Sequence, residues 1–254
     1  MDIINRGFGG YNTEWAMPLL KKVFPMRIGG RTEFPNIKLI TIWFGTNDAA
    51  LPSVSPSPFP NSADDEPSSN LFSTTDNHAM APAVTAGRAV PLERYKANLE
   101  KMIESFMAPT SDFHLPGVRI ALMTPPPVVV SMRKPENAKV ELDHTRKYKD
   151  ACLSIGQDWS RKSAGRVQVI DCWKAVTDAA GGEYDDLLRP FFIDGVHLTS
   201  RAYALIFDEL FRTIKAEWKH LDPANIKATV PVYNAQTDDW EWSYEPKPAM
   251  ERKD

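Results

Sequence analysis

The run Lys38-Leu39-Ile40-Thr41-Ile42-Trp43-Phe44 limits the possible folds more than any other stretch of this chain. It is apolar at nearly every position, rich in β-branched and aromatic residues, and stopped by Gly45-Thr46-Asn47-Asp48. Such a run is too short for a helix of ordinary length and reads as a strand. A strand apolar on both faces cannot leave either one in water, so it needs cover above and below. That is the signature of a parallel sheet sandwiched between helices.

The rest of the chain alternates strand and helix, as that reading requires. Residues 2–5 predict a short strand and residues 6–11 a glycine-rich turn. A helix is expected from Asn12 or Thr13, with Trp15, Leu19, Leu20 and Val23 on one face. Residues 92–108 predict a helix, with Tyr95, Leu99, Met102, Ile103 and Phe106 at helical spacing. Residues 118–124 predict a buried strand closed by Pro125, Pro126 and Pro127, and residues 145–163 a helix with Tyr148, Cys152, Ile155 and Trp159 inward. Residues 167–170 predict a strand and residues 173–180 a short helix. The last helix is capped by Thr199 or Ser200 and runs to about Trp218, with Tyr203, Phe207, Leu210, Phe211, Ile214 and Trp218 inward. The expected fold class is a three-layer α/β/α domain with a short parallel sheet over residues 1–220.

Two segments stand outside this pattern. Residues 53–90 are dominated by Ser, Pro, Thr, Asn and Asp and keep neither period. They bury too little apolar surface to offset their ordering entropy, so a disordered insertion within one domain is expected. The tail, residues 221–254, holds Val232, Tyr233, Trp240 and Trp242 and is expected to strap the body without a clear element.

Composition removes several function classes. The formal net charge is −3 and 25% of residues are charged, without the clustered basic face of a nucleic-acid-binding protein. No apolar run is long enough to span a bilayer. Cys152 and Cys172 lack metal or redox spacing and fit a reducing compartment, the cytoplasm. The five histidines (78, 114, 144, 197 and 220) form no ligand pattern with them, so a metal enzyme is not expected. Oligomeric state is not legible.

Chemistry concentrates in three places. Asp194-Gly195-Val196-His197 follows the apolar Pro190-Phe191-Phe192-Ile193 and precedes the last helix. Loops held by rigid elements are where reactive side chains are displayed. Histidine exchanges a proton near neutral pH, and a neighbouring Asp fixes its tautomer and stabilises the imidazolium. Alone, D-x-x-H recurs by chance. In a parallel sheet, however, all strands end on one edge, so this loop should meet Gly45-Thr46-Asn47-Asp48 and the Gly9-Gly10 turn there. Ester hydrolysis needs a nucleophile, a base and donors for an oxyanion. His197 suits the base and Asp194 its orienter; the Asn47 amide and the Gly10 N–H suit the oxyanion. The ordinary alternatives are a polar turn at Asn47-Asp48 and a plain turn glycine at Gly10. Ser53 and Ser55 lie in flexible sequence with nothing to hold a hydroxyl against His197.

On these residues the chain resembles the SGNH hydrolases, the GDSL esterase/lipase family, whose blocks supply Ser, Gly, Asn and His. Gly10 matches the glycine block, Asn47 in Gly45-Thr46-Asn47-Asp48 the asparagine block, and Asp194-Gly195-Val196-His197 the Asp–His block. Arg6-Gly7-Phe8, Gly10-Tyr11, Trp15, Val90-Pro91-Leu92 and the run from Asp194 to Leu198 further resemble the isoamyl acetate-hydrolysing esterase branch. The resemblance implies an SGNH/flavodoxin-like fold, a small-molecule ester substrate, no cofactor, and the site roles just given. It departs at the serine block: neither Gly-Asp-Ser nor Gly-x-Ser-x-Gly occurs in the chain. In the family that block precedes the glycine block, which implies a serine and a first strand upstream of Met1. The expectation is an amino-terminally truncated esterase, inactive as written, or a non-catalytic relative that keeps the pocket.

Overall fold

The computed structural model describes residues 3–24, 37–51, 88–134, 140–226, 232–234 and 239–241. Three parallel strands form its centre: β1 (Leu39–Trp43), β2 (Arg119–Met123) and β3 (Val167–Ile170), in the order β1-β2-β3. The register sets Ile40 beside Ile120, Ile42 beside Leu122, and Leu122 beside Val169. Side chains alternate across each strand. Ile40, Ile42, Ile120 and Leu122 therefore enter one core, with Tyr95, Leu99, Ile103, Phe106, Tyr148 and Cys152. Those residues come from α3 (Leu92–Met107) and α4 (Leu142–Lys162). Ala121, Met123 and Ile170 enter the other core, with Val176, Ala202, Ile206, Ile214 and Trp218. That layer consists of α5 (Cys172–Ala180) and α7 (Ser200–Glu217), with the single turn α6 (Asp185–Leu188) between them. The architecture is the expected α/β/α sandwich.

The amino-terminal expectations needed correction. Residues 3–8 form no strand, and Ile3 and Ile4 are 95% and 61% exposed. A strand satisfies its backbone only against a neighbour; β1 pairs with β2 on one side and with no other strand among the described residues. The helix expected from Asn12 starts there, with the Asn12 side chain accepting from Trp15 N at 2.8 Å. It is not continuous. Pro18 has no N–H to donate, and a 3-10 turn, Met17–Leu19, separates α1 (Thr13–Ala16) from α2 (Leu20–Val23).

At the last helix Ile214 and Trp218 are buried as expected, but the rest of the buried stripe is Ala202, Ile206 and Thr213. Tyr203 and Phe207 are 52% and 59% exposed. In the first half of the helix aromatic size drew the expected stripe toward Tyr203 and Phe207, whereas the smaller Ala202 and Ile206 pack into the core. Thr199 stands at the cap position, but its hydroxyl donates to Pro190 O at 3.3 Å instead of capping. Sequence expectations at residues 53–87, including Ser53, Ser55 and His78, lie outside the described residues. Residues 88–90, assigned to the insertion, are ordered against the body: Val90 is buried and its N–H donates to Asp48 O at 2.9 Å. The tail, expected to lack an element, contains an antiparallel pair, β4 (Val232–Asn234) with β5 (Asp239–Glu241). Among the described residues no helix is long and apolar enough to cross a membrane. Cys152 and Cys172 are free, buried thiols.

Candidate active site

Beyond β1 the chain closes a turn in which Ala49 N donates to Gly45 O at 2.8 Å. The turn presents Asn47 toward the amino-terminal loop, where its Nδ2 donates to Tyr11 O at 2.9 Å. Asn47 is thereby fixed beside the residue that follows Gly10. Gly10 has φ of +79°, a conformation other residues adopt at a cost, and so it turns the backbone into the site. The next residue of the turn, Asp48, is completely buried. Its Oδ1 accepts from Thr13 N at 2.9 Å and Thr13 Oγ1 at 2.5 Å, and its Oδ2 from Gly45 N at 3.2 Å. Burial pushes its pKa up to about 6 against the pull of those donors. Asp48 thus ties the start of α1 to the glycine turn and places Gly10 and Asn47 relative to each other.

The second group is a closed loop. Phe192 bridges Leu198 in antiparallel fashion, and Ile193 N donates to His197 O at 2.7 Å. Between these ends, Asp194 Oδ1 accepts from Val196 N at 3.2 Å and His197 N at 2.9 Å, while its Oδ2 lies 3.0 Å from His197 Nδ1. Partial burial raises the carboxyl pKa; the His197 backbone and imidazole donors and the Val196 N–H outweigh it and hold the pKa down at about 2. Asp194 is an ionised acceptor at any ordinary pH. The imidazole side chain is 76% exposed, and the 194–197 loop makes its Nδ1 contact from within, leaving Nε2 as the nitrogen directed away from the carboxylate.

Both groups sit at the carboxyl ends of the strands. A Cβ on Gly45 would stand 2.8 Å from Pro125 Cγ, just beyond β2. Four residues further, Val129 N donates to Gly195 O at 2.9 Å. Trp43 Nε1 donates to Thr124 O at 3.0 Å, and the Trp43 ring meets Tyr203, in the first turn of α7, edge-on at 6.2 Å. The segment 124–129 therefore touches the Asn47 turn at one end and the Asp194 loop at the other. The structure brings Asp194 to His197 and Asn47 to the Gly10 loop; no hydrogen bond joins the two groups among the described residues.

Sequence reading left Asp48 as a structural turn residue, the role its buried hydrogen bonds give it, and missed two residues here. Arg88 sits beside Gly10, with Nη2 3.6 Å from where a Cβ would be, and its carbonyl accepts from Asn12 Nδ2 at 2.8 Å. Arg133 pairs with Asp194 at 3.1 Å. Neither arginine lies in a recognisable motif, and no sequence signal could have found them. Among the described residues no group of three or more His, Cys, Asp or Glu side chains is placed to hold a metal ion.

The chain is similar to several known proteins. A GDSL esterase/lipase of Arabidopsis thaliana is 26% identical over 244 residues, covering 92% of this chain and 79% of its own. The human isoamyl acetate-hydrolyzing esterase 1 homolog is 26% identical over 220 residues, covering 84% of this chain and 68% of its own. A crystal structure of a candidate acylhydrolase from Bacteroides fragilis superposes with a TM-score of 0.49 at 16% identity, over 84% of this chain and 74% of that one. The family model for GDSL-like lipases and acylhydrolases matches residues 1–205, and the chain belongs to that family.

Proposed function

We propose that the protein acts as a serine ester hydrolase on small carboxylic esters of the acetate type, with the attacking hydroxyl supplied by a segment upstream of these 254 residues. The observation that carries this reading is the Asp194–His197 pair, closed in its own loop at the sheet edge that also bears Asn47 and Gly10. In the acylation step His197 Nε2 takes the serine proton as the serine oxygen bonds to the acyl carbon. The Asp194 carboxylate stabilises the resulting imidazolium through Nδ1. Gly10 N–H and Asn47 Nδ2 donate to the oxyanion; an amide nitrogen has two protons, and Tyr11 O takes only one. The imidazolium then protonates the leaving alcohol. Water, activated by the same imidazole, releases the acid and restores the serine.

Two features support an additional segment. One is the outer edge of β1, which has no partner strand among the described residues. The other is the adjoining face: Thr41 is exposed, and on the neighbouring helix α7 so are Tyr203 and Phe207. A parallel strand is ordinarily covered on both sides, and a further strand with its helix would cover both surfaces. One observation favours a second reading, a non-catalytic relative that binds a ligand: His197 bonds to Asp194 and to no hydroxyl among the described residues.

Hydrolysis of p-nitrophenyl acetate separates the two. An upstream-extended protein should turn over, this chain should stay near background, and His197→Ala in the extended protein should lose about a thousandfold or more. An inactive extended protein, or one indifferent to His197→Ala, overturns the esterase reading.

A further inference from the structure

We propose that Arg133 is a positioning residue for the acid–base pair, holding the Asp194 carboxylate against His197 and tempering its charge. This rests on the reading of Asp194 and His197 given above. Arg133 follows a 3-10 turn, Val130–Met132, in the segment that leaves β2, so it reaches the pair from a different part of the chain. Its Nη1 donates both to Asp194 O at 3.2 Å and to Asp194 Oδ2 at 3.1 Å. That same Oδ2 is the oxygen 3.0 Å from His197 Nδ1. One carboxylate oxygen is thus shared between a fixed cation and the imidazole.

Exposure points the same way. The Arg133 side chain is 17% exposed, against 41% for Asp194 and 76% for His197, so the cation is the most buried member of the three. The two segments are clasped again by Val129 N donating to Gly195 O. Gly195 adopts φ of +91° and would place a Cβ 3.1 Å from Arg133 Cδ, so a side chain there would crowd the guanidinium. Other charged groups around the turn are engaged elsewhere. Asp185 Oδ2 accepts from Ser131 N, Arg189 donates to Ser131 Oγ and pairs with Asp186, and Arg201 lies over the Phe191 ring.

Two consequences follow. The carboxylate cannot rotate away from Nδ1 without losing Arg133, which keeps Nε2 as the working nitrogen. The guanidinium also offsets part of the negative charge that Asp194 presents to the ring.

The test uses this chain as it is and reads the His197 ring by NMR titration, with the signal assigned through His197→Ala. Arg133→Met keeps the apolar stem and removes the charge; it should raise the proton affinity of His197 by about three- to tenfold. Arg133→Lys should recover most of the wild-type value. A merely structural staple would show a different pattern: both variants loosen the loop, and the titration of His197 stays put or moves equally in both. Either result overturns the proposal. Should Arg133→Met fail to fold, Arg133→Lys and Arg133→Gln measured together decide by the same criterion, charge retained against charge lost. Because nothing here depends on turnover, failure of this proposal is distinguishable from failure of the esterase reading.

Discussion

Asp48 and Asp194 stand at the same edge of one sheet and are perturbed in opposite directions. Asp48 has no solvent exposure and, among the described residues, no ion pair; its partners are Thr13 and Gly45, and its pKa rises to about 6. Asp194 is partly exposed, accepts from backbone, imidazole and guanidinium, and its pKa falls to about 2. Burial dominates at the first and donors at the second. The difference separates a carboxylate that organises the backbone from one that remains charged and available to a proton-transferring ring. It also means that acid should strengthen one half of the site and weaken the other.

The largest effect expected from that contrast is at Asp48. Asp48→Ala strands Thr13 N, Thr13 Oγ1 and Gly45 N in the interior. Each orphaned group costs about 1–3 kcal/mol, offset by relief from burying the polar, mostly protonated carboxyl group, for a net loss of about 4 kcal/mol near pH 5. Urea denaturation at that pH measures it. A loss under about 1 kcal/mol would mean the turn repacks without its carboxylate, and Asp48 would no longer anchor the comparison.

The next effect is a pH dependence. The folded chain binds the Asp48 proton more tightly than the unfolded chain, whose Asp titrates near ~3.9. The stability this adds is complete below about pH 4 and lost as pH rises through about 6, roughly 3 kcal/mol in all. Asp48→Asn has no such proton, so the stability difference between it and the parent should change by about that amount across the window. Asp194 behaves in reverse: its contribution is present above about pH 4 and lost as pH falls through about 2. A parallel pair of stability curves between pH 4 and 7 would show that Asp48 does not titrate in the folded chain as its burial requires.

Gly195→Ala comes third. Its φ of +91° disfavours a side chain, and the new Cβ would lie 2.3 Å from Val129 O, a backbone atom that cannot swing aside. A loss of about 2 kcal/mol is expected. Loop displacement should also alter the His197 ring signals, while the Asp48 side of the site stays unchanged. If both sides respond together, they are one unit and the contrast between them is too sharp.

The limits of sequence reading follow the same division. The strands over residues 39–43, 119–123 and 167–170 and the helices α3, α4, α5 and α7 were legible because their side-chain period is set by local geometry and by the apolar core on each face of the sheet. The pairing of Asp194 with His197 was legible because they stand three positions apart in one tight loop. Where a residue's meaning depends on a distant segment, the sequence was silent. Asp48 is 35 positions from Thr13, and Arg133 is 61 from Asp194. At α7 the reading failed differently: aromatic size was taken for inwardness, but Tyr203 and Phe207 are exposed. In the amino-terminal segment, apolar Ile3 and Ile4 suggested a strand that had no neighbour to join.

The smallest effect tests burial itself. Arg94 on α3 grips Glu14 on α1 through Nε to Oε2 at 2.9 Å and Nη2 to Oε1 at 2.8 Å. This pair does the same job as Asp48, fastening α1 to the body, but its side chains are 46% and 30% exposed. Asn98 Nδ2 joins the two fastenings, donating to Thr13 Oγ1 and to Glu14 Oε2, both at 3.1 Å. Water already satisfies most of what an exposed pair gains, so Arg94→Ala should cost only about 0.5–1 kcal/mol despite the two-point geometry. The cost should shrink further in about 0.5 M salt, where screening shortens the reach of surface charge. Denaturation of the parent, Arg94→Ala, Asp48→Ala and the double variant gives both numbers and their coupling through Asn98. If the exposed pair proves as costly to lose as the buried carboxylate, position relative to solvent does not set the hierarchy at this edge, and the shared Asn98 bridge becomes the element that holds α1 in place.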